Sequence, residues 1–177
     1  MSEVHLFVAI RRKKENPQLK ERSIRHIIRN EARDFEIIKS IISQQDDGGI
    51  WRIYKTINAR DTSKAMKDLR HKIIEDELIH EKLETTWKTC LLQEKCKATN
   101  YLLIDIDTKD QETFAQIYDK LLPGTIKTLT NTPNGIHIVV DRQDVREIEL
   151  IDDVEIKRDA LLFIEIYEKG VGKYEIN

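Results

Sequence analysis

The chain has 177 residues, of which 40% are hydrophobic and 35% charged, with a formal net charge of −2. That length makes one ordinary domain, or one domain with an appended helical part, and the apolar fraction suffices for a core. No run of eighteen apolar residues is present and the N-terminus lacks a signal peptide's apolar segment, so a soluble, cytoplasmic protein with no membrane partner is expected.

Val4–Arg11 reads as a first strand, with Val4, Leu6, Val8 and Ile10 on one face. A helical region is expected across roughly 20–44, where Ile24, Ile27 and Ile28, then Ile37, Ile38, Ile41 and Ile42, form apolar stripes. A turn follows over 44–49. Ile50–Ile57 alternates Trp51, Ile53, Lys55 and Ile57 against Arg52, Tyr54 and Thr56, as a strand does. Asp61 or Ser63 then starts a long helical stretch to about Leu92, broken once near 80. Cys90 and Cys96 lack a usual zinc-ligand spacing and read as two reduced thiols.

Past residue 100 the elements shorten. A strand runs through Asp107 and a helix spans about 110–121, with Phe114, Ile117, Tyr118 and Leu121 on one stripe and Pro123-Gly124 as its stop. Thr125–Thr130 is the next strand, Pro133-Asn134-Gly135 a tight turn favouring positive φ, and Ile136–Val140 the returning strand. A polar helix or loop near 142–150 precedes Val154–Lys157 and Leu161–Tyr167, which read as a hairpin around Arg158-Asp159-Ala160. The expected class is α+β, a mainly antiparallel sheet with flanking helices. It forms a single domain over 1–177, with an N-terminal module at 1–99 and a second module at 100–177.

The charge is split along the same line. Residues 1–100 carry 21 Lys and Arg against 16 Asp and Glu, a balance of +5; residues 101–177 carry 9 against 16, a balance of −7. Between 11 and 33, nine basic residues (Arg11, Arg12, Lys13, Lys14, Lys20, Arg22, Arg25, Arg29 and Arg33) face only Glu15, Glu21 and Glu31. A polyanion on the first half and a metal on the second would fit this split, although a solvated helix face is the commoner origin of a charge run.

Three short motifs carry chemistry. In Tyr101-Leu102-Leu103-Ile104-Asp105-Ile106-Asp107 two acids sit two apart on a buried strand, so both carboxylates share a face. Two such charges repel unless a cation lies between them, and Mg²⁺ or Mn²⁺ suits oxygen donors. The same strand end could instead simply cap the next helix. In Thr132-Pro133-Asn134-Gly135-Ile136-His137-Ile138-Val139-Val140, an imidazole follows a glycine corner whose Asn134 and Gly135 would let backbone N–H groups approach a phosphate; a packed core histidine is the plainer alternative. In Val154-Glu155-Ile156-Lys157, an acid and a base share one strand face, as a surface ion pair or as a metal ligand beside a phosphate-binding cation.

Taken together, LLIDID, TPNGIHIVV and VEIKRDALLFIEI resemble, in order, the acid-x-acid, small-x-His and apolar-acid motifs of the archaeo-eukaryotic primase superfamily, above all its small phage and plasmid primase-polymerases. The resemblance covers about residues 100–167; IWRIYKTINARD, with Asn58 and Arg60, is only faintly like the family's N-terminal module. It implies an RRM-like core and template-directed nucleotidyl transfer with two divalent metals, Mg²⁺ or Mn²⁺, held by Asp105, Asp107 and Glu155. His137 and Lys157 would contact the phosphates of an incoming NTP or dNTP, with Asn134 and Gly135 at the turn. Arg11, Arg12, Lys13, Lys14, Arg22 and Arg25 would meet a single-stranded DNA or RNA template. The family likeness also suggests a bacterial or phage-infected cell and a replication-protein partner. Two departures stand out. Asp159-Ala160-Leu161-Leu162 replaces a glycine-rich hairpin, and Glu165 has the same apolar-acid form as Glu155.

Two rival readings use other residues. Asp141 with Glu155-Ile156-Lys157 resembles the acid and Glu-x-Lys pattern of restriction-endonuclease-like nucleases. A catalytically inactive nucleic-acid-binding regulatory protein would need only the basic 11–33 segment.

Overall fold

The structure is a computed structural model and describes residues 2–45, 48–75 and 82–168. In chain order the elements are β1 (Glu3–Arg11), β2 (Arg22–Ile28), α1 (Glu31–Ser43), β3 (Ile50–Thr56), β4 (Arg60–Asp61), α2 (Thr62–Ile74) and α3 (Leu83–Leu91). A 3-10 turn at Glu94–Cys96 leads to β5 (Leu102–Ile106), α4 (Gln111–Lys120), β6 (Ile126–Asn131), β7 (Ile136–Val140), β8 (Val154–Lys157) and β9 (Leu161–Glu168). The class is α+β, with two antiparallel sheets where a single one was expected. One has the order β2-β1-β3-β9 with β4 added on β1; the other has the order β6-β7-β5-β8.

The 20–44 region is not one helix. Ile24, Ile27 and Ile28 make a helical stripe on paper, but they equally serve a strand with apolar packing on both sides, where they are half-buried. Ile24 and Ile28 pack with the cluster under α1, and Ile27 packs with the cluster under α2 and α3. Pairing with β1 then decides for the strand. Asn30 restarts the chain as a helix by accepting the Arg33 N–H, and Asp34 accepts the N–H groups of Arg29 and Asn30 at 2.7 Å each. Of the expected turn over 44–49, Asp46 and Asp47 lie outside the described residues. So does 76–81, which contains the expected break near 80; α2 and α3 lie on either side of it. Asp61 caps α2, accepting from the N–H groups of Ser63 and Lys64.

Val154–Lys157 and Leu161–Glu168 are not a hairpin. β8 pairs with β5 in one sheet, while β9 crosses to pair with β3 in the other. The three intervening residues change sheets because each is held from outside the link. Arg60, 2% exposed, binds Asp159 through two bonds of 2.9 and 2.7 Å, and the Ile57 N–H donates to the Ala160 carbonyl. Asn58, fully buried, accepts from the Tyr101 N–H at 2.7 Å and donates toward the carbonyls of Tyr101 and Arg158. Ile57, Leu103, Val139, Ala160 and Leu162 form the apolar seam between the sheets. The expected boundary near residue 100 therefore does not divide the sheets, since β9 completes the N-terminal one.

Segment 142–150 is a run of turns rather than a helix, and it sends Ile148 into the core beneath the second sheet beside Ile117 of α4. No helix among the described residues is long and apolar enough to cross a membrane.

Candidate functional site

The second sheet has two unlike faces. Leu102, Ile104 and Ile106 of β5, Ile136, Ile138 and Val140 of β7, and Val154 and Ile156 of β8 pack toward α4. Strand alternation turns Leu103, Asp105, His137, Val139, Glu155 and Lys157 the other way, toward the first sheet. Leu103 and Val139 close the seam, and beyond it the sheets part into a cleft of about 620 Å³ lined by Asp105, Asp107, Asn134, His137, Glu155 and Lys157. Asp105 stands directly opposite His137 on one side and Glu155 on the other, so all three sequence motifs reach one cross-strand row.

The Asp105 carboxylate is fully engaged. One oxygen lies 3.1 Å from His137 Nε2 and the other 2.5 Å from Lys157 Nζ, which also reaches Glu155 at 2.9 Å. Burial alone would push the Asp105 carboxyl up, but the bonds from His137 and Lys157 outweigh it and hold the group at about 2. The same balance acts on Lys157. Burial pulls its ammonium down, and the two carboxylates more than compensate, so it stays above its ordinary value. His137 Nδ1 accepts the Phe163 N–H from β9 at 3.3 Å, which places the ring hydrogen on Nε2, facing Asp105. The imidazole thus spans the two sheets, and both of its nitrogens have protein partners.

The remaining expected site residues fall in different places. Asp107 and Glu155 are exposed at the cleft. Among the described residues no three His, Cys, Asp or Glu side chains converge closely enough to hold a metal ion, and Lys157 stands between two of the expected ligands. Gly135 does not offer its N–H outward: it is buried and donates to Thr132 Oγ1 at 3.0 Å. Nor does its turn use positive φ. The glycine is demanded by close approach, because a Cβ there would lie 1.8 Å from the Ile106 carbonyl oxygen. Glu165 belongs to the first sheet, opposite Ile53, and does not line the cleft. Asp141 sits four residues beyond His137, about 13 Å along the strand from the Asp105 row, and is paired with Lys127 at 2.7 Å. It is not brought together with Glu155 and Lys157.

Of the basic residues, Arg12 and Lys14 line the cleft and Lys13 is exposed beside them. Arg11 is 1% exposed, donating to the Lys20 and Gly48 carbonyls and lying 5.2 Å from the Trp51 ring centre, so it serves the fold and cannot meet a template. Arg25 turns to Thr89 of α3, and Arg22 is exposed on the edge strand β2. Two cleft residues escaped the sequence reading. Arg52 and Tyr54 lie on the face of β3 opposite Trp51 and Ile53. Their alternation was visible, but nothing in the sequence says that this face meets a second sheet.

No family model, curated protein or solved structure matches this chain.

Proposed function

We propose that the chain is a small primase-polymerase of the archaeo-eukaryotic type, adding nucleotides to a 3′-hydroxyl along a single-stranded template. The observation that carries this reading is the cross-strand row Glu155–Asp105–His137, in which three motifs far apart in sequence share one cleft. The order β8-β5-β7-β6, with α4 on the opposite face, is also that of an RRM-like sheet.

Mg²⁺ or Mn²⁺ is the cofactor this reading requires. The donor type suits it, because Asp105, Asp107 and Glu155 supply only oxygens and line the same cleft, although as placed they do not converge on one point. Those residues would hold the metal once Lys157 withdraws, and the metal would lower the barrier to 3′-hydroxyl attack and offset phosphate charge. The chain's own groups do the rest. Lys157, released from Asp105, is a mobile cation for a phosphate of the incoming NTP or dNTP, and His137 Nε2 is a donor beside it. The rigid strands hold these groups in register.

The test is primer extension on single-stranded DNA with Mn²⁺ or Mg²⁺, beside Asp105→Ala/Asp107→Ala. A product ladder lost in the double variant is expected. Strands shortened in a manner dependent on Glu155 and Lys157 would establish a nuclease instead. Unchanged primer in a sample that binds the DNA would establish a binding protein.

A further inference from the structure

The cleft has a second wall that the three motifs do not account for. Arg52 projects from the middle of β3, and Arg12 follows the end of β1. Both converge on Glu15: Arg12 donates through Nε at 3.1 Å and through Nη2, and Arg52 Nη2 lies 2.8 Å from the same carboxylate. Two guanidiniums on one carboxylate leave a net charge of +1, and Lys14 on the same wall makes +2. Arg12 and Arg52 line the cleft and Glu15 does not, so the acid sits behind and the cations in front. The segment is pinned. Asn16, 6% exposed, donates to the Arg12 and Ile50 carbonyls and accepts the Ile50 N–H at 2.7 Å, tying the residues beside Glu15 to the start of β3.

Across the cleft, Asp105, Asp107 and Glu155 make the opposite wall acidic despite Lys157. A ligand matching both sides presents a phosphate chain to the arginines and its reacting end to the acids. Tyr54, two residues beyond Arg52, lines the same wall edge-on to Phe163 at 5.9 Å and adds an aromatic surface of the kind bases stack on. We infer that Arg12, Lys14 and Arg52 form a binding site for a phosphate chain, and that Glu15 is a positioning residue that aims the two guanidiniums into the cleft. This rests on the polymerase reading for the location of the chemistry. Two sources share the ligand chemistry: the backbone of a nucleic-acid strand and the triphosphate of a free nucleotide.

Equilibrium binding in EDTA separates them and needs no catalysis, so it fails independently of primer extension. The probes are a fluorescent oligothymidylate, read by anisotropy across a salt series, and inorganic tripolyphosphate as its competitor. Arg52→Gln should weaken the sensitive ligand about tenfold, and a strand ligand should also lose about 0.7 from the slope of log affinity against log salt. Loss confined to the oligonucleotide assigns the wall to a strand, and loss confined to tripolyphosphate assigns it to a nucleotide. Glu15→Ala gives the sharper result. It raises the wall's charge by one, yet it should weaken binding because the arginines lose their anchor; tighter binding would make Glu15 a mere counter-charge and overturn its role. Arg12→Gln, at a more exposed position, repeats the test if Arg52→Gln lowers the urea midpoint. Unchanged affinity for both ligands in both arginine variants would overturn the site.

Discussion

Replacing Asp159 with alanine should be among the most damaging single changes outside the apolar core. Arg60 is 2% exposed, its two terminal nitrogens are satisfied by Asp159, and its Nε has no hydrogen-bond partner among the described residues. Without Asp159 a guanidinium remains buried with no counter-ion, a loss of about 3–5 kcal/mol. With a urea dependence of about 2 kcal/mol per molar, the unfolding midpoint should fall by about 2 M. A domain with only about 5–15 kcal/mol in total would lose a large share of it. The apolar double variant Arg60→Met/Asp159→Leu removes both charges, and its midpoint should return to within about 1 M of the parent. The assay is urea denaturation followed by tryptophan fluorescence, since Trp51 lies in the first sheet. If Asp159→Ala costs less than about 1 kcal/mol, the pair behaves as a surface ion pair and the reasoning about the sheet crossing is wrong.

Three further outcomes are expected. Gly135→Ala drives a Cβ into the Ile106 carbonyl, so the turn must shift by more than an ångström; stability should fall by about 1–3 kcal/mol, and primer extension should drop by about 100-fold as His137 moves. Unchanged extension would refute the turn's positioning role. Lys157→Met removes the ammonium that bridges Asp105 and Glu155, so Mn²⁺ measured by titration calorimetry should bind about tenfold more tightly; weaker Mn²⁺ binding would count against those acids as ligands. The third concerns pH. The N–H groups of Asn30 and Arg29, with His26, hold the Asp34 carboxyl well below the usual carboxylate range. A group depressed on folding contributes its stability above about pH 4 and loses it as pH falls toward the folded value. Asp34→Asn should therefore flatten the acid limb of stability against pH, and an unaltered limb would show that the helix cap is not the acid-sensitive element.

The shared face of Asp105 and Asp107 was legible because strand alternation is rigid once LLIDID is a strand; that β7 and β8 flank β5, so that His137 and Glu155 stand opposite Asp105, was not. Asp61 and the stop at Pro123-Gly124 were legible as local chemistry. What failed was long-range. The Ile24-Ile27-Ile28 spacing satisfies a helix with one packed face and a strand with two, and only the β1 partner chooses. The Arg158-Asp159-Ala160 link has the length of a hairpin, and it is contacts from Ile57, Asn58 and Arg60, about 100 residues away, that send the chain to the other sheet. Gly135 was singled out for φ and phosphate contact, when its need is the nearness of Ile106, which no local pattern records. Arg52 and Tyr54 were read as one of two alternating faces of a strand and given no role, because the sheet that faces them lies in the other half of the chain.

The pairing of β3 with β9 also bears on how the chain is made. Thr56 pairs with Leu161, so β3 leaves the ribosome 105 residues before its partner. At about 5–20 residues per second, that is a wait of roughly 5–20 s. Throughout it, Ile50–Thr56 presents one unpaired edge, the side of a nascent sheet that neighbouring chains on a polysome can capture.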